Sequence, residues 1–452
     1  MRKGKRNDGG GDRLREEDIL IELLSRLDVK TLLQCKAVSK TWYSLISTPI
    51  FIKSHFNRAL NGADNQTATT LIVRLFKIEC LRDFPEEDGS FALYQLDCYD
   101  YVARLYFPYS KGDYPFTPPS LLIGCVFGIV CVCVDPDPDT DAYSFQATLK
   151  GRSDIYIWNP ATKQSKLIPA HTLHDDEGKV SLGFGFDPID FDFKVVKVLS
   201  NDVFPEVYSL NRNVWRKIEV KLSDRPNRNI FEICIHGFLF TVGCNGMMAF
   251  DLNREVFICD IKLPVASCDA CIADFKDSIA VIIFNFKEER DRIKLWTLDD
   301  EACLRGAGVE ASWTMMLSID VGMHLDWVYG IFNSVEFLLE SDDWFSYNTD
   351  KKEVIRMFPN PLFDFNEVFK YTESLVLVAG SKLVNWSADK DDNEESSPDS
   401  EEVSEEGSVD LEDNDEESSV GVASEDDNEE SAADSEDNEE SNVDSEDDAG
   451  DE

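Results

Sequence analysis

The sequence predicts a mainly β protein with three parts: a three-helix module near the N-terminus, a β-propeller-like domain of about six blades, and a disordered acidic tail. Three observations predict it. Apolar residues recur at helical spacing between Glu16 and Phe56. From Leu71 onward, short β-branched and aromatic runs alternate with turn signals, and one motif returns at intervals of a propeller blade. Beyond Trp386 the chain is almost wholly Asp, Glu, Ser and Asn. The expected boundaries are 1–13 for a disordered basic end, 14–58 for the helical module, 59–70 for a connector, 71–386 for the β domain and 387–452 for the tail.

The helical module reads EEDILIELLSRLDVKTLLQCKAVSKTWYSLISTPIFIKSHF. Ile19, Leu20, Leu23, Leu24 and Leu27 share one helical stripe, then Leu32, Leu33 and Val38, then Trp42, Leu45 and Ile46. Ser39 stands at an N-cap position before the Trp42 helix. Thr48-Pro49 places a capping hydroxyl ahead of a proline at the first position of a last helix through Phe51 and Phe56. So short a segment buries too small a fraction of its surface to be stable alone. It also carries more large apolar residues than short helices can hide, so a second polypeptide is expected to cover part of it.

The stretches LLSRLDVKTLL, AVSKTWYSLIS and PIFIKSHFNRA resemble the F-box of plant proteins nearly residue by residue. The F-box is the adaptor-binding module of substrate receptors in cullin-based ubiquitin ligases. The resemblance implies a Skp1-like adaptor as partner, with a cullin reached through it. Leu14, Leu20, Leu23, Leu27, Leu32, Leu33, Val38 and Trp42 are the residues expected to form the adaptor face or the packing that shapes it; periodicity does not divide those roles. Two departures stand at the adaptor-contacting end. Leu14 is followed by Arg15 and Leu27 by Asp28, where the family has Leu-Pro.

The β domain opens with Leu71–Leu75 as a strand, and Ile155–Trp158, Lys194–Val198 and Ile279–Ile283 read the same way. Leu121–Val134, the longest apolar run, is too short to span a bilayer and reads as two buried strands around a turn at Gly128. The repeated motif is an aromatic residue followed three positions later by Asn or Asp. Its copies are Tyr94/Asp97, Tyr208/Asn211, Phe250/Asn253, Trp296/Asp299 and Tyr347/Asp350, with Trp158-Asn159-Pro160 degenerate. Trp215, Phe257 and Val354 follow their aromatics by seven positions. The aromatic is expected to end a buried strand, the Asx residue to tighten the turn through its own backbone, and the returning strand to bring a bulky residue back to the buried side. The Trp296 copy is interrupted by an insertion, Glu301–Ala311. A ring of blades also limits exposed sheet edges; a pair of β-sandwiches is the alternative.

IYIWNPATKQSKLIP at 155–169, LGFGFDPIDFDFKVVKV at 182–198, VYSLNRNVWRKI at 207–218, HGFLF at 236–240 and AFDLNREVF at 249–257 resemble the type 1 F-box-associated domain of plant F-box proteins, which is kelch-like. In that family the domain recruits the substrate. Gly124–Cys131 departs from the usual Ser-Cys-Asn-Gly pattern, with Phe127 where Asn is expected.

The chain has 452 residues and a formal net charge of −44. From Ala388 onward there are 32 acids against one lysine, so the tail carries most of that charge. Like-charge repulsion and scarce apolar residues leave nothing to offset ordering entropy there. Ser424 and Ser445 have an acid three positions on, a pattern that suits an acid-directed kinase. No signal-peptide core follows the basic RKGKR at 2–6, and the cysteines have no framework spacing, so a reducing compartment, cytoplasmic and/or nuclear, is expected.

Catalytic patterns are thin. No P-loop, G-x-S-x-G elbow or H-E-x-x-H occurs. Gly183-Phe-Gly185 lacks the third glycine of a dinucleotide loop and reads as lying between strands. His171 and His174, beside Asp175 and Asp176, form a loop pair without a third ligand, and Cys268 and Cys271 are half a zinc site with no second half at standard spacing. Neither cofactor nor metal is expected. An acidic folded part disfavours nucleic acid, and no membrane association is expected. The function expected is a non-catalytic substrate-recognition subunit of a Skp1–cullin–F-box ubiquitin ligase, with an unidentified protein target. The alternatives are a propeller enzyme and an F-box protein with a role outside ubiquitylation.

Overall fold

The computed structural model describes residues 16–60, 70–74, 76–77, 90–95, 100–106, 120–135, 153–169, 180–199, 204–265, 270–285, 292–305, 310–341, 343–357, 363–364, 367–378, 380 and 382–383. The basic end, Leu14, most of the connector, Asp97, His171, His174, Cys268 and the acidic tail lie outside the described residues.

The helical module has four helices rather than three: α1 (Glu16–Leu24), α2 (Val29–Cys35), α3 (Lys40–Ile46) and α4 (Pro49–Leu60). Their starts follow from local chemistry. Asp28 caps α2, its Oδ1 accepting the Thr31 N–H at 2.8 Å and its Oδ2 the Thr31 hydroxyl at 2.7 Å. Those two bonds hold the Asp28 carboxyl below its usual range. At φ −65° the position would suit a proline, but a proline could not accept these bonds. Ser39 Oγ accepts the Trp42 N–H at 3.1 Å, and Thr48 Oγ1 accepts the Phe51 N–H at 3.2 Å ahead of Pro49.

The β domain is a six-bladed propeller. Blade 2 runs Ser120–Val126, Ile129–Val134, Asp154–Asn159 and Gln164–Leu167. Blade 3 is Val180–Asp187, Asp192–Leu199, Glu206–Ser209 and Val214–Lys217; blade 4 is Ile233–Ile235, Phe238–Val242, Met247–Asp251 and Val256–Ile261. Blade 5 is Ala270–Phe275, Ser278–Asn285, Arg292–Leu298 and Trp313–Asp320; blade 6 is Trp327–Phe332, Glu336–Glu340, Trp344–Asn348 and Glu353–Arg356. All pairings are antiparallel, and the first strand of each of these blades lies against the first strand of a neighbour. First strands therefore line the axis. They are the more buried: every residue of Val180–Asp187 is buried, whereas the outermost strand Val214–Lys217 is largely exposed.

Blade 1 closes the ring. It joins Thr70–Arg74, Ser90–Gln95 and Asp100–Tyr106 to Val368–Tyr371, which comes from the far end of the domain and takes the axial position. The chain then continues as a strap. Leu375, Val376 and Val378 bury themselves between blade 2 and the helical module, and Lys382–Leu383 adds a fifth strand to the outer edge of blade 2. A ring replaces the paired sandwiches considered from sequence.

The aromatic repeat is the hairpin between third and fourth strands. Tyr208 faces Trp215, Phe250 faces Phe257 and Tyr347 faces Val354 across the ladder, as the spacing of seven requires. The turn itself is held differently from expectation. The residue immediately after the aromatic closes it: Asn159 Oδ1 accepts the Thr162 N–H, Ser209 Oγ that of Arg212, Asp251 Oδ1 those of Asn253 and Arg254, and Asn348 Oδ1 those of Asp350 and Lys351. The side chain at the third position instead reaches away from the turn, Asn211 Nδ2 donating to the Phe191 carbonyl and Asn253 Nδ2 to the Asp187 carboxylate, both in blade 3. Each of these four turns ends on a non-glycine residue in the left-handed region: Lys163, Asn213, Glu255 and Lys352. In blade 5 the insertion holds a short helix, Ala302–Arg305, and Ser312 closes it by bonding Asp299 at 2.6 Å.

Gly183 and Gly185 lie inside the first strand of blade 3, not between strands. A Cβ at Gly183 would stand 2.9 Å from the Phe231 ring, so glycine lets the next crossing segment approach the axis. The expected strands at Ile155–Trp158, Lys194–Val198 and Ile279–Ile283 fall in Asp154–Asn159, Asp192–Leu199 and Ser278–Asn285, and that at Leu71–Leu75 overlaps Thr70–Arg74, with Leu75 outside the described residues.

Candidate functional site

Antiparallel blades sort their connections onto two faces. Hairpins from first to second and from third to fourth strands emerge on one face. Hairpins from second to third strands, and crossings between blades, emerge on the other. The helical module sits on the first face, over blades 2 and 3.

Four phenylalanines make that joint. The Phe56 ring of α4 lies 4.8 Å from Phe127, 5.0 Å from Phe186 and 5.0 Å from Phe191, centroid to centroid. Lys53 covers the outer side of Phe191 at 4.8 Å. Phe127 is the residue that departs from the family pattern. It adopts φ +50° in the blade 2 turn and carries its ring into the cluster, so apolar packing replaces the local hydrogen bonding an Asn would supply. The adjacent Gly128 must be glycine: at φ +74° its Cβ would stand 2.1 Å from the Thr372 carbonyl of the strap. Asn159 holds the strap from below, its Nδ2 donating to the carbonyls of Ser374 at 3.0 Å and Val376 at 2.8 Å. Inside the module, the His55 ring meets the Leu27 carbonyl at 3.0 Å.

The expected adaptor residues divide into three groups. Leu32 is fully buried at 0 % exposure and belongs to the core shared by module and propeller. Leu20, Leu27, Leu33 and Trp42 are partly buried against that core. Leu23 and Val38 stand on the surface, 57 % and 67 % exposed. Ile19, which the spacing places in the α1 stripe but not among the expected adaptor residues, is also exposed, as are Tyr43 and Ile50, which sequence reasoning missed. Ile19 and Leu23 share a face of α1 by their i, i+4 spacing. Between α2 and α3, Lys36, Ala37, Ser39, Lys40 and Tyr43 line a shallow hollow of about 410 Å³. Partial desolvation pushes the Lys36 amine down.

No group of three or more His, Cys, Asp or Glu side chains among the described residues could hold a metal ion. Cys271 is buried between blades, and Cys131 and Cys133 lie in the core beneath the module. Burial pushes the thiols of all three up, away from the nucleophilic form. No helix among the described residues is long and apolar enough to cross a membrane.

Comparison with known proteins agrees with this architecture. The family model of the F-box domain matches residues 17–54, and that of the F-box associated beta propeller domain matches residues 135–304. A putative F-box protein of Arabidopsis thaliana is 27 % identical over 296 residues, which cover 63 % of this chain and 70 % of that one. The F-box protein CPR1 of the same plant is 28 % identical over 221 residues, 45 % of this chain and 44 % of its own length. An Arabidopsis F-box/kelch-repeat protein is 24 % identical over 322 residues, covering 67 % of this chain and 78 % of the relative. The matched description does not distinguish a type 1 subdivision, so the assignment stands at the level of the propeller family. With helices that leave apolar side chains uncovered, a closed ring of six blades beneath them, and a family model matching within each part, the chain is an F-box protein with an F-box associated β-propeller domain, and its homologues are Arabidopsis F-box proteins.

Proposed function

We propose that this protein is the substrate-recognition subunit of a cullin-based ubiquitin ligase: the F-box takes a Skp1-type adaptor, and the propeller face turned away from the helices takes a target protein. The observation that carries the reading is the division of apolar surface in the module. Phe51, Phe56, Leu24, Leu32 and Ile46 are buried, whereas Ile19, Leu23, Val38, Tyr43 and Ile50 stay exposed. Burying a leucine or valine of that kind is worth roughly 1.5–3 kcal/mol, so these side chains can supply much of an adaptor interface. The subunit makes no bond itself; it raises the effective concentration of the target near the transfer chemistry.

The test is adaptor capture by wild type and by a Leu23→Asp/Val38→Asp double variant. Both positions are exposed, so the fold tolerates the change, and recovery is expected to fall by at least about tenfold, the loss of about 1.4 kcal/mol or more. Equal recovery from both would remove the adaptor assignment. Leu32 is unsuitable for this purpose, because a charge in the shared core unfolds the module whatever it binds.

A further inference from the structure

Five large apolar side chains stand further into solvent than any others among the described residues: Ile50 at 79 % exposure, Ile189 at 75 %, Val38 at 67 %, Tyr43 at 58 % and Leu23 at 57 %. Four of them belong to the F-box helices. The fifth, Ile189, belongs to the propeller, in the hairpin that joins the first and second strands of blade 3. A single exposed isoleucine is ordinary on a protein surface, but this one stands beside the other four. Its hairpin lies against α4. Phe191, two residues on, carries its ring to Phe56 and lies beneath the Lys53 amine. Lys53 shares the exposed side of α4 with Ile50, three residues before it, and with Ser54 and Asn57. An outer line therefore runs from Ile50, along the apolar stem of Lys53 and over Phe191, to Ile189. It crosses the seam between helices and propeller.

The hairpin presents Ile189 rigidly. Asp187 Oδ1 accepts the Ile189 N–H at 2.9 Å and the Asp190 N–H at 3.2 Å. Asp187 is itself fixed: its Oδ2 lies 3.1 Å from the buried Lys194 amine, and both oxygens accept from Asn253 Nδ2 of blade 4. Pro188 restricts the backbone just before Ile189 and packs on the first hairpin of blade 4, where a Cβ at Gly237 would stand 2.9 Å from its Cδ. Both turn hydrogen bonds use the backbone of residues 189 and 190, so the turn itself does not call for an apolar side chain at its tip. A side chain held out by so braced a turn loses little entropy when a partner buries it.

We propose that Ile189 is a second docking point for the adaptor: one apolar surface of the Skp1-type partner covers Ile50 and Ile189 together and so spans the F-box and blade 3. The proposal rests on the reading of the F-box as the adaptor-binding module, and continuity with that module's uncovered apolar side chains assigns the occupant. An adaptor that touched the helices alone would hold the propeller only through the Phe56 joint. One that also grips blade 3 fixes the direction in which the free face is presented, and the effective concentration of a bound target depends on that direction.

The test titrates the full chain with a purified Skp1-type adaptor and reads Kd by calorimetry for wild type, Leu23→Asp, Ile189→Asp, Ile189→Ser and Ile189→Leu. Ile189→Asp is expected to weaken binding about tenfold and Ile189→Ser about threefold or more. The loss from Ile189→Ser is expected to be the same at low and high salt, because the contact is apolar. Ile189→Leu keeps the apolar surface and is expected to bind like wild type. All three substitutions keep the backbone donors that Asp187 holds; if Ile189→Asp lowers the melting temperature, Ile189→Ser decides. Adaptor binding that Leu23→Asp weakens, but Ile189→Asp and Ile189→Ser leave unchanged, would overturn the proposal and leave the adaptor reading standing. No binding by wild type would remove both. Sedimentation without adaptor tests the other occupant: a dimer that Ile189→Asp dissociates would assign the surface to a second copy of this chain and overturn the proposal.

Discussion

The two faces of the ring are built from opposite chemistry. On the helix side, the Phe56, Phe127, Phe186 and Phe191 rings close a joint with centroids 4.8–5.4 Å apart, and the strap threads beneath it. On the free side, the Arg228 guanidinium lies 4.6 Å over the Trp327 ring and the Glu232 carboxylate accepts the Val242 and Ile272 N–H groups. Apolar contact is strong, undirected and insensitive to salt, which suits a permanent joint. Charged, oriented groups at a partly wet mouth discriminate among partners and let them leave. On the proposed function, the difference lets one chain hold one module rigidly and still bind a target reversibly.

Breaking the joint is expected to have the largest effect. Phe56→Ala removes a buried ring from the centre of the cluster and is expected to cost about 3–5 kcal/mol of module docking. Protease sensitivity and hydrogen exchange of residues 16–60 should rise while the propeller keeps its own unfolding midpoint. Loss of both together would show that the two parts fold as one unit. Asn159→Ala leaves the Ser374 and Val376 carbonyls without their donor and is expected to destabilise by about 2–3 kcal/mol, read by urea denaturation.

The corrected hairpin gives a finer comparison within blade 4. Asp251→Ala removes the acceptor of two turn N–H groups and is expected to cost about 1–2 kcal/mol, whereas Asn253→Ala loses a contact to Asp187 already shared with Lys194 and should cost less. The reverse order would return the turn to the third position. The smallest effect concerns His236, between blades 4 and 5, with Nδ1 2.9 Å from Glu301 and Nε2 3.1 Å from Asp277. Desolvation works against its charge, but the bonds to Glu301 and Asp277 outweigh it and raise its pKa. The contribution is therefore fully present below the unfolded value of about 6.5 and is lost as pH rises above it through the raised folded pKa. Asp277 is largely exposed and His236 and Glu301 partly so, so well under about 1 kcal/mol is expected. His236→Ala should flatten that part of the stability–pH profile, and an unchanged slope would assign the dependence elsewhere.

Much of this fold is legible in the sequence because a ring of blades repeats its constraints. Tyr208 and Trp215, or Phe250 and Phe257, recur at one spacing since each pair spans the same hairpin. The residue that closes the turn was misplaced because both candidate positions are polar in most copies, and a side-chain oxygen at either can reach a turn N–H. No glycine marks the left-handed position at Lys163 or Glu255, so that signal was absent. In the F-box, helical periodicity finds apolar residues but not which face is already covered. Leu32 belongs to the core shared with the propeller, Ile19 stands in the α1 stripe with nothing in its spacing to mark it as exposed, and Tyr43 and Ile50 fall beside the stripes. Arg228 carries no sequence signal at all, since its position depends on four blades converging.

The order of the chain gives the strap a temporal meaning. The F-box is synthesised before the propeller, whereas Val368–Tyr371, which shuts the ring, and Leu375–Val378, which underlies the helices, come near the end of the domain. During translation the nascent helices therefore wait for most of the polypeptide before their seat exists. A ribosome that stalls early leaves them unseated, and the firmly aimed geometry is reserved for molecules whose domain has been made in full.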